Sequence, residues 1–399
     1  MKAIELLADI AGVGRDVARG GYSRHLFDAG ELELRDWFTE QAMRRDLTVR
    51  TDRNANIWAW WGSPGPGAVV TGSHLDSVPG GGAFDGPLGV TSALAAVDIL
   101  RDKGFRPAKP LAILVFAEEE GGRFGVPCLG SRLLTGALDA DRARGLRDGA
   151  GITLAEAATK AGYEPERFGA DPEALARIGC FVELHVEQGR GLIDLDSPLA
   201  TGSSIIAHGR YRFSFAGQGN HAGATLIGDR HDPMLPAAAV VAAARTVAAA
   251  TPDARATVGR LAPTPGGTNV IASTVDLWLD ARVAGAGRTP ALVAQIEAVA
   301  KEAAAQEGCT LTVTEESYTD DVVFDESLRR GMDRVLGGVP ALPTGAGHDA
   351  GVLAAHVPSG MLYVRNPTGI SHAPEEFAEA ADIAAGAHGL ALVLEELAR

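Results

Sequence analysis

Cysteine is scarce in this chain of 399 residues: Cys128, Cys180 and Cys309 are three, scattered and odd in number. They form neither a disulfide framework nor a zinc-knuckle spacing, which fits a reducing, cytoplasmic setting. Basic charge is in deficit as well. Lys plus Arg is 36 against 51 for Asp plus Glu, a net of −15 at pH 7. Nucleic acids and anionic membranes call for a basic surface, so neither is expected as a partner. An anionic small molecule remains admissible, because one local arginine overrides net charge at short range. No apolar run is long enough for a membrane span. The Ala-rich stretch from Pro236 to Ala250 is broken by Arg245 and falls short of the roughly 20 residues required. Met1 to Ile10 is helical in pattern and carries Glu5 and Asp9, not the basic-then-apolar layout of a signal. Internal repeats and low-complexity linkers are also missing. A soluble cytoplasmic protein is the expectation.

What is present is an ordinary globular composition, 46% hydrophobic and 22% charged, over a length that allows two domains or one with a large insertion. The first half alternates strands and helices. Ala68 to Thr71 is a short apolar strand leading to His74. Leu88 to Lys103 has helical spacing and Gly104 as a stop. Leu111 to Ala117 and Ile178 to Val186 read as strands buried on both faces. From His208 the pattern changes to half-buried alternation, as in Tyr211, Phe213 and Phe215 and again in Val275, Leu277, Leu279 and Ala281. A helix from about Asp232, a strand at Ala256 to Leu261, a helix opened by Thr289-Pro290 as N-cap and N1, and a strand at Thr310 to Thr314 complete a βαββαβ order. Met361 to Val364 and a final helix from Pro374 return to the first domain. The expected fold is α/β: a mixed-sheet catalytic domain formed by residues 1–207 and 321–399, with a smaller α+β domain inserted at 208–320.

Four separate segments end apolar runs, or sit in tight loops, with groups that suit a hard or borderline metal. They are His74-Leu75-Asp76 followed by Asp85, Glu118-Glu119-Glu120, His185 with Gln188 close behind, and His372. One catalytic zinc takes three protein ligands and an open position. Two ions about 3.5–4 Å apart need more ligands and usually a shared carboxylate. Three imidazoles and several carboxylates suit the pair better, which points to a hydrolytic metalloenzyme. Period-two spacing on a strand would place Asp76 beside His74, free to hold one imidazole nitrogen while the other meets metal. Three adjacent glutamates repel one another, and most such runs are solvated loop ends. Metal charge would relieve the repulsion and leave one carboxylate as a general base, but charge alone does not say which. For any single histidine a hydrogen-bonded structural role is the commoner one; the joint pattern reverses those odds. The loop Gly345-Ala346-Gly347-His348-Asp349 reads as a shaper of the pocket rather than a source of ligands.

Several longer segments run in order along the chain: G-S-H-L-D-S-V-P at 72–79, F-D-G-P-L-G-V at 84–90, F-A-E-E-E-G-G-R-F at 116–124 and E-L-H-V-E-Q-G at 183–189. H-A-G-A-T at 221–225, T-N-V-I at 268–271, L-D-A-R at 279–282, G-A-G-H-D-A at 345–350 and G-I-S-H-A-P-E-E at 369–376 follow. In these the chain resembles the hydantoinase/carbamoylase branch of the dinuclear zinc amidohydrolases, relatives of aminoacylases and metallo-carboxypeptidases. The resemblance implies two divalent ions per subunit, zinc or manganese, with cobalt or nickel as substitutes in vitro. It implies Asp85 as the bridge, His74 and His185 on one metal, Glu120 and His372 on the other, and Glu119 as general base. It further implies Arg282 on a substrate carboxylate, Gln188 and Asn269 as polar substrate contacts, and His221 at the oxyanion. Asp76 would support the ligands from behind. A homodimer through the inserted lid and dimerisation domain is implied too.

The activity expected is hydrolysis of a non-peptide linear amide or ureido C–N bond next to a carboxylate, with allantoate and N-carbamoyl-L-amino acids as favoured substrates. N-formyl- or N-acyl-amino-acid hydrolysis and dipeptidase action are the alternatives, the latter disfavoured by His185, where related peptidases usually carry a carboxylate. A catalytically inactive metal-binding protein is the rival of a different class.

Overall fold

The computed structural model describes residues 3–399, and the contacts divide them into two compact units. The larger comprises the chain up to Ser204 together with Val323–Arg399; the smaller is Ile205–Val322.

The larger unit is built on a mixed sheet. Its inner six strands lie in the order Ile57–Trp61, Leu111–Phe116, Ala68–His74, Ile178–Val186, Ser359–Val364 and Leu199–Ile205. The middle four are parallel to one another, while Ile57–Trp61 and Leu199–Ile205 run antiparallel at the flanks. Leu111–Phe116 is buried at every position, as a strand covered on both faces must be. Helices Ala3–Asp9, Pro87–Asp102 and Ala380–Leu397 share one core with one face, through Leu6, Leu94, Val97, Leu390 and Leu394. Leu129–Thr135 and Leu154–Lys160 contribute to a second core around Phe124 and Phe168. The mixed α/β fold expected from the sequence is the one observed.

The smaller unit has a four-stranded antiparallel sheet in the order Thr310–Thr319, His208–Ala216, Thr274–Arg282, Arg255–Thr264. Helices Met234–Ala250 and Arg288–Gln306 cover the face carrying Phe213, Phe215, Leu277 and Leu279. Burial alternates strictly along Thr274–Arg282, so Trp278, Asp280 and Arg282 share the uncovered face. Among the described residues no helix is long and apolar enough to cross a membrane.

Several element boundaries differ from the sequence reading. Helix Arg288–Gln306 opens two residues earlier, with Gly287 as its N-cap. Thr289 lies inside it, and its hydroxyl bonds the carbonyls of Ala207 and Val283 instead of capping. The last helix starts at Ala380 rather than Pro374, because 365–379 is a loop that carries His372. The N-terminal helix is Ala3–Asp9; Met1 and Lys2 lie outside the described residues.

Candidate metal centre

Parallel strands deliver side chains at their carboxyl ends, and here four adjacent ones do so together. His74 is the last residue of Ala68–His74, Glu118 to Glu120 follow Leu111–Phe116 directly, and His185 is the penultimate residue of Ile178–Val186. His372 comes from the loop beyond Ser359–Val364, in the left-handed region at φ 58°. Asp85 precedes helix Pro87–Asp102. Its neighbour Gly86 has φ +82°, and a Cβ there would fall 2.5 Å from the His74 ring, so only glycine lets Asp85 approach. Pro87 then occupies N1, where its missing N–H costs nothing.

The hydrogen bonds fix both buried imidazoles in one tautomer. His74 Nδ1 lies 3.0 Å from the Asp76 carbonyl and His185 Nδ1 2.8 Å from the Val186 carbonyl. A carbonyl can only accept, so each Nδ1 carries the hydrogen and each Nε2 presents a lone pair. Those two lone pairs face the same oxygen, Asp85 Oδ1, at 3.3 Å and 3.1 Å. Neither Nε2 has a hydrogen-bond partner. On the other side His372 Nε2 stands 3.2 Å from Glu120 Oε2 and 3.5 Å from Asp85 Oδ2. Asp85 thus belongs to two three-residue clusters, one through each oxygen. Two donors about 2.0–2.1 Å from one ion at the tetrahedral angle stand roughly 3.3 Å apart. The observed spacings match that value. Each Nε2 aimed at a carboxylate oxygen calls for positive charge between them, a proton when metal is absent and a divalent ion when it is bound, and the donor spacing fits a divalent pair.

The three glutamates make separate contacts. Glu118, in the left-handed region at φ 53°, accepts the N–H groups of Arg123 at 2.9 Å and Phe124 at 2.7 Å, and so closes its own loop. Glu120 turns to His372. Glu119 Oε2 lies 3.6 Å from His74 Nε2, beside the clusters, and its Oε1 accepts from Cys128 Sγ at 3.5 Å. Burial pushes the Glu119 carboxyl well above the usual range. His74 opposes that shift, while Asp349, Glu120 and Glu183 add to it. For Asp85, burial would raise the pKa, but His185 and His74 outweigh it and hold the group well below its ordinary value.

Asp76 does less for His74 than period-two spacing suggests. The strand ends at His74, and the imidazole bonds the Asp76 main chain, with the nearer carboxylate oxygen 3.6 Å away. The carboxylate instead accepts the amides of Glu119 and Glu120, both at 3.1 Å, and so orients the glutamate turn. Gln188 donates to Asp85 Oδ2 at 2.8 Å.

Other participants carried weaker sequence signals. Glu376 Oε1 accepts the amides of Phe84 and Asp85, both at 2.9 Å. Its carboxyl is pushed up to about 7 by burial and by Asp85. His348, read as a shaper of the pocket, is buried against His185 with ring centroids 4.5 Å apart, and it forms a third cluster with Glu183 and His185. Asp349 accepts from Ser131, and Glu183 accepts from Ser73 and from the Ala350 amide. Glu376, Glu183, His348 and Asp349 all lie in segments that carry the family resemblance, but no single-residue signal marked them out.

His221, Asn269 and Arg282 belong to the smaller unit. His221 pairs with Val270 in a two-stranded ribbon, and the Ala222 amide bonds the Asn269 carbonyl at 3.0 Å, which brings His221 and Asn269 together. Arg282 ends its strand with Nε and Nη2 on the two oxygens of Asp280, at 2.6 Å and 2.8 Å.

Residues 70–396 match the model of the peptidase family M20/M25/M40. The chain belongs to that family. It is 35% identical to the N-carbamoyl-L-amino acid amidohydrolase of Geobacillus stearothermophilus, over 98% of this chain and 97% of that protein. Identity to the allantoate amidohydrolase of Escherichia coli is 30%, covering 99% of this chain and 97% of the relative. A solved amidase of the hydantoinase/carbamoylase family from Burkholderia vietnamiensis superposes with a TM-score of 0.89 at 28% identity, covering 99% of this chain and 96% of its own. The branch suggested by the motifs is therefore the right one within the family.

Proposed function

We infer that this chain is a metal-dependent amidohydrolase acting on linear, non-peptide amide or ureido C–N bonds of small substrates, of the allantoate amidohydrolase or N-carbamoyl-L-amino-acid hydrolase type. The observation that carries the reading is Asp85 shared between two donor clusters with Glu119 alongside, in a chain whose full-length relatives are amidohydrolases of this kind. His74, His185 and Asp85 would hold one divalent ion, and Asp85, Glu120 and His372 a second, zinc or manganese. Bound ions supply positive charge that polarises the scissile carbonyl and acidifies the attacking water. Glu119 accepts the proton from that water as its oxygen adds to the carbonyl carbon, then passes it to the nitrogen as the C–N bond breaks. Burial favours this role by making the carboxylate a stronger base than it is in water. Asp76 keeps Glu119 in place through its backbone.

The proposal extends to a substrate carboxylate read by Arg282, polar contacts from Gln188 and Asn269, oxyanion support from His221, and a homodimer formed through the smaller unit. Ammonia release across a panel of allantoate, N-carbamoyl-L-amino acids, N-formyl amino acids and dipeptides tests the reading. Turnover confined to dipeptides, or absent from every member in the presence of Mn²⁺ or Zn²⁺, rejects it.

Arg282→Lys is expected to lower kcat/KM by about 10-fold or more, because an ammonium cannot reproduce the planar fork and loses at least one charge-assisted hydrogen bond. The control is a substrate whose carboxylate is replaced by a neutral amide. If the variant still discriminates acid from amide as strongly as the wild type, the carboxylate is read elsewhere.

A further inference from the structure

On the outer edge of the larger unit, the hairpin of Thr48–Thr51 and Ile57–Trp61 faces the segment 165–177 across a cavity of about 170 Å³. Four guanidiniums line it, from Arg50, Arg53, Arg167 and Arg177, against two carboxylates, Asp52 and Asp171. This concentration of positive charge stands out on a chain of net −15.

The carboxylates are already committed. Asp52 accepts the amides of Asn54 and Asn56, the Asn56 side chain and the Trp58 indole N–H, all at 2.9–3.1 Å. Asp171 accepts the Ala174 amide at 3.0 Å and pairs with Arg53 at 3.1 Å. Among the described residues Arg167 pairs with the exposed Glu164 alone, a contact worth little in water. Arg50 and Arg177 have no carboxylate partner among the described residues. Trp58 and Trp60, stacked at 5.4 Å and almost fully buried, give the cavity an apolar wall. Arg50, Arg53 and Arg167 reach into solvent and Arg177 is half-buried, so their heads are free to turn toward a common counter-ion over that wall.

Size decides the kind of ligand. Organic ligands of drug size occupy pockets of about 300–1,000 Å³, whereas one water takes about 30 Å³ of liquid. The pocket is half open to solvent, and its enclosed part matches a compact ion of a few heavy atoms. Planar guanidiniums match tetrahedral oxyanions through paired N–H···O bonds. We propose that this cavity is a binding site for a small dianionic oxyanion of the phosphate type, separate from the metal centre.

The test is calorimetric titration of the metal-loaded protein with inorganic phosphate at fixed ionic strength, for the wild type and for Arg50→Gln/Arg177→Gln. The double variant should weaken one binding step by about tenfold or more, the equivalent of at least one lost charge-assisted hydrogen bond. Hydrolase turnover and metal content should stay at wild-type values, which shows that the variant is folded. Arg50→Lys, which keeps the charge, should fall between the two. Methyl phosphate in place of phosphate separates the sources: equal binding points to a phosphomonoester, and binding of inorganic phosphate alone points to the free ion. Identical titrations of wild type and double variant, or no saturable step in the wild type, overturn the proposal.

Discussion

Glu119→Gln lowers kcat by about 10²–10⁴-fold, the usual contribution of a general base, and leaves metal content unchanged. The amide keeps the shape of the carboxylate and the Cys128 contact but cannot take a proton from water. Glu120→Gln has the opposite signature. Its Oε2 lies 3.2 Å from His372 Nε2, so the substitution weakens one cluster and lowers metal affinity first. Glu118→Gln should do neither, since Glu118 holds the amides of Arg123 and Phe124. Metal analysis and steady-state rates on the three variants separate these outcomes. If Glu119→Gln loses metal while Glu120→Gln keeps it, the two roles are exchanged and the proton path must be redrawn.

Exhaustive chelation abolishes turnover and leaves a protein whose thermal stability falls as pH rises from about 5 to about 8. The sign follows from the buried acids. Burial, aided by Asp76, pushes Glu118 up from 4.5 to about 8, and burial with Asp85 takes Glu376 to about 7. Below pH 4.5 each is protonated in both folded and unfolded chains, so nothing is lost. Above it the unfolded chain releases protons that the folded one retains, and stability declines until the folded pKa is passed. His372 acts in the same direction: its bond to Glu120 raises it to about 9, and that stabilisation disappears as pH climbs toward 9. His348 opposes the trend only up to about its ordinary pKa, because burial, reinforced by His185, holds it neutral. Bound cations favour the ionised carboxylates, so the gap between metal-loaded and metal-free melting temperatures should widen toward pH 8. A metal-free protein that melts higher at pH 8 than at pH 5 would contradict the buried-acid account, and one that retains full turnover would contradict the metal assignment.

The sequence by itself determined the strands of the parallel core and the donors at their ends. Continuous apolar runs such as Leu111 to Phe116 mark strands covered on both faces, and polar groups can follow such a run only where it emerges. Strict alternation along Thr274–Arg282 likewise identified the half-covered sheet of the smaller unit. Family motifs added roles that charge and spacing left open, above all in the triple glutamate. Tertiary structure alone decided which way each of those glutamates turns, because their directions depend on Asp76, Arg123 and His372, which are remote or carry no signal in a run of like charges. It also decided which nitrogen of each histidine is free, since the partners are main-chain carbonyls that no side-chain pattern reports. Glu376 and His348 entered the site for the same reason. A strand pattern records what one chain segment buries, whereas a donor cluster depends on which ends of separate segments meet in space.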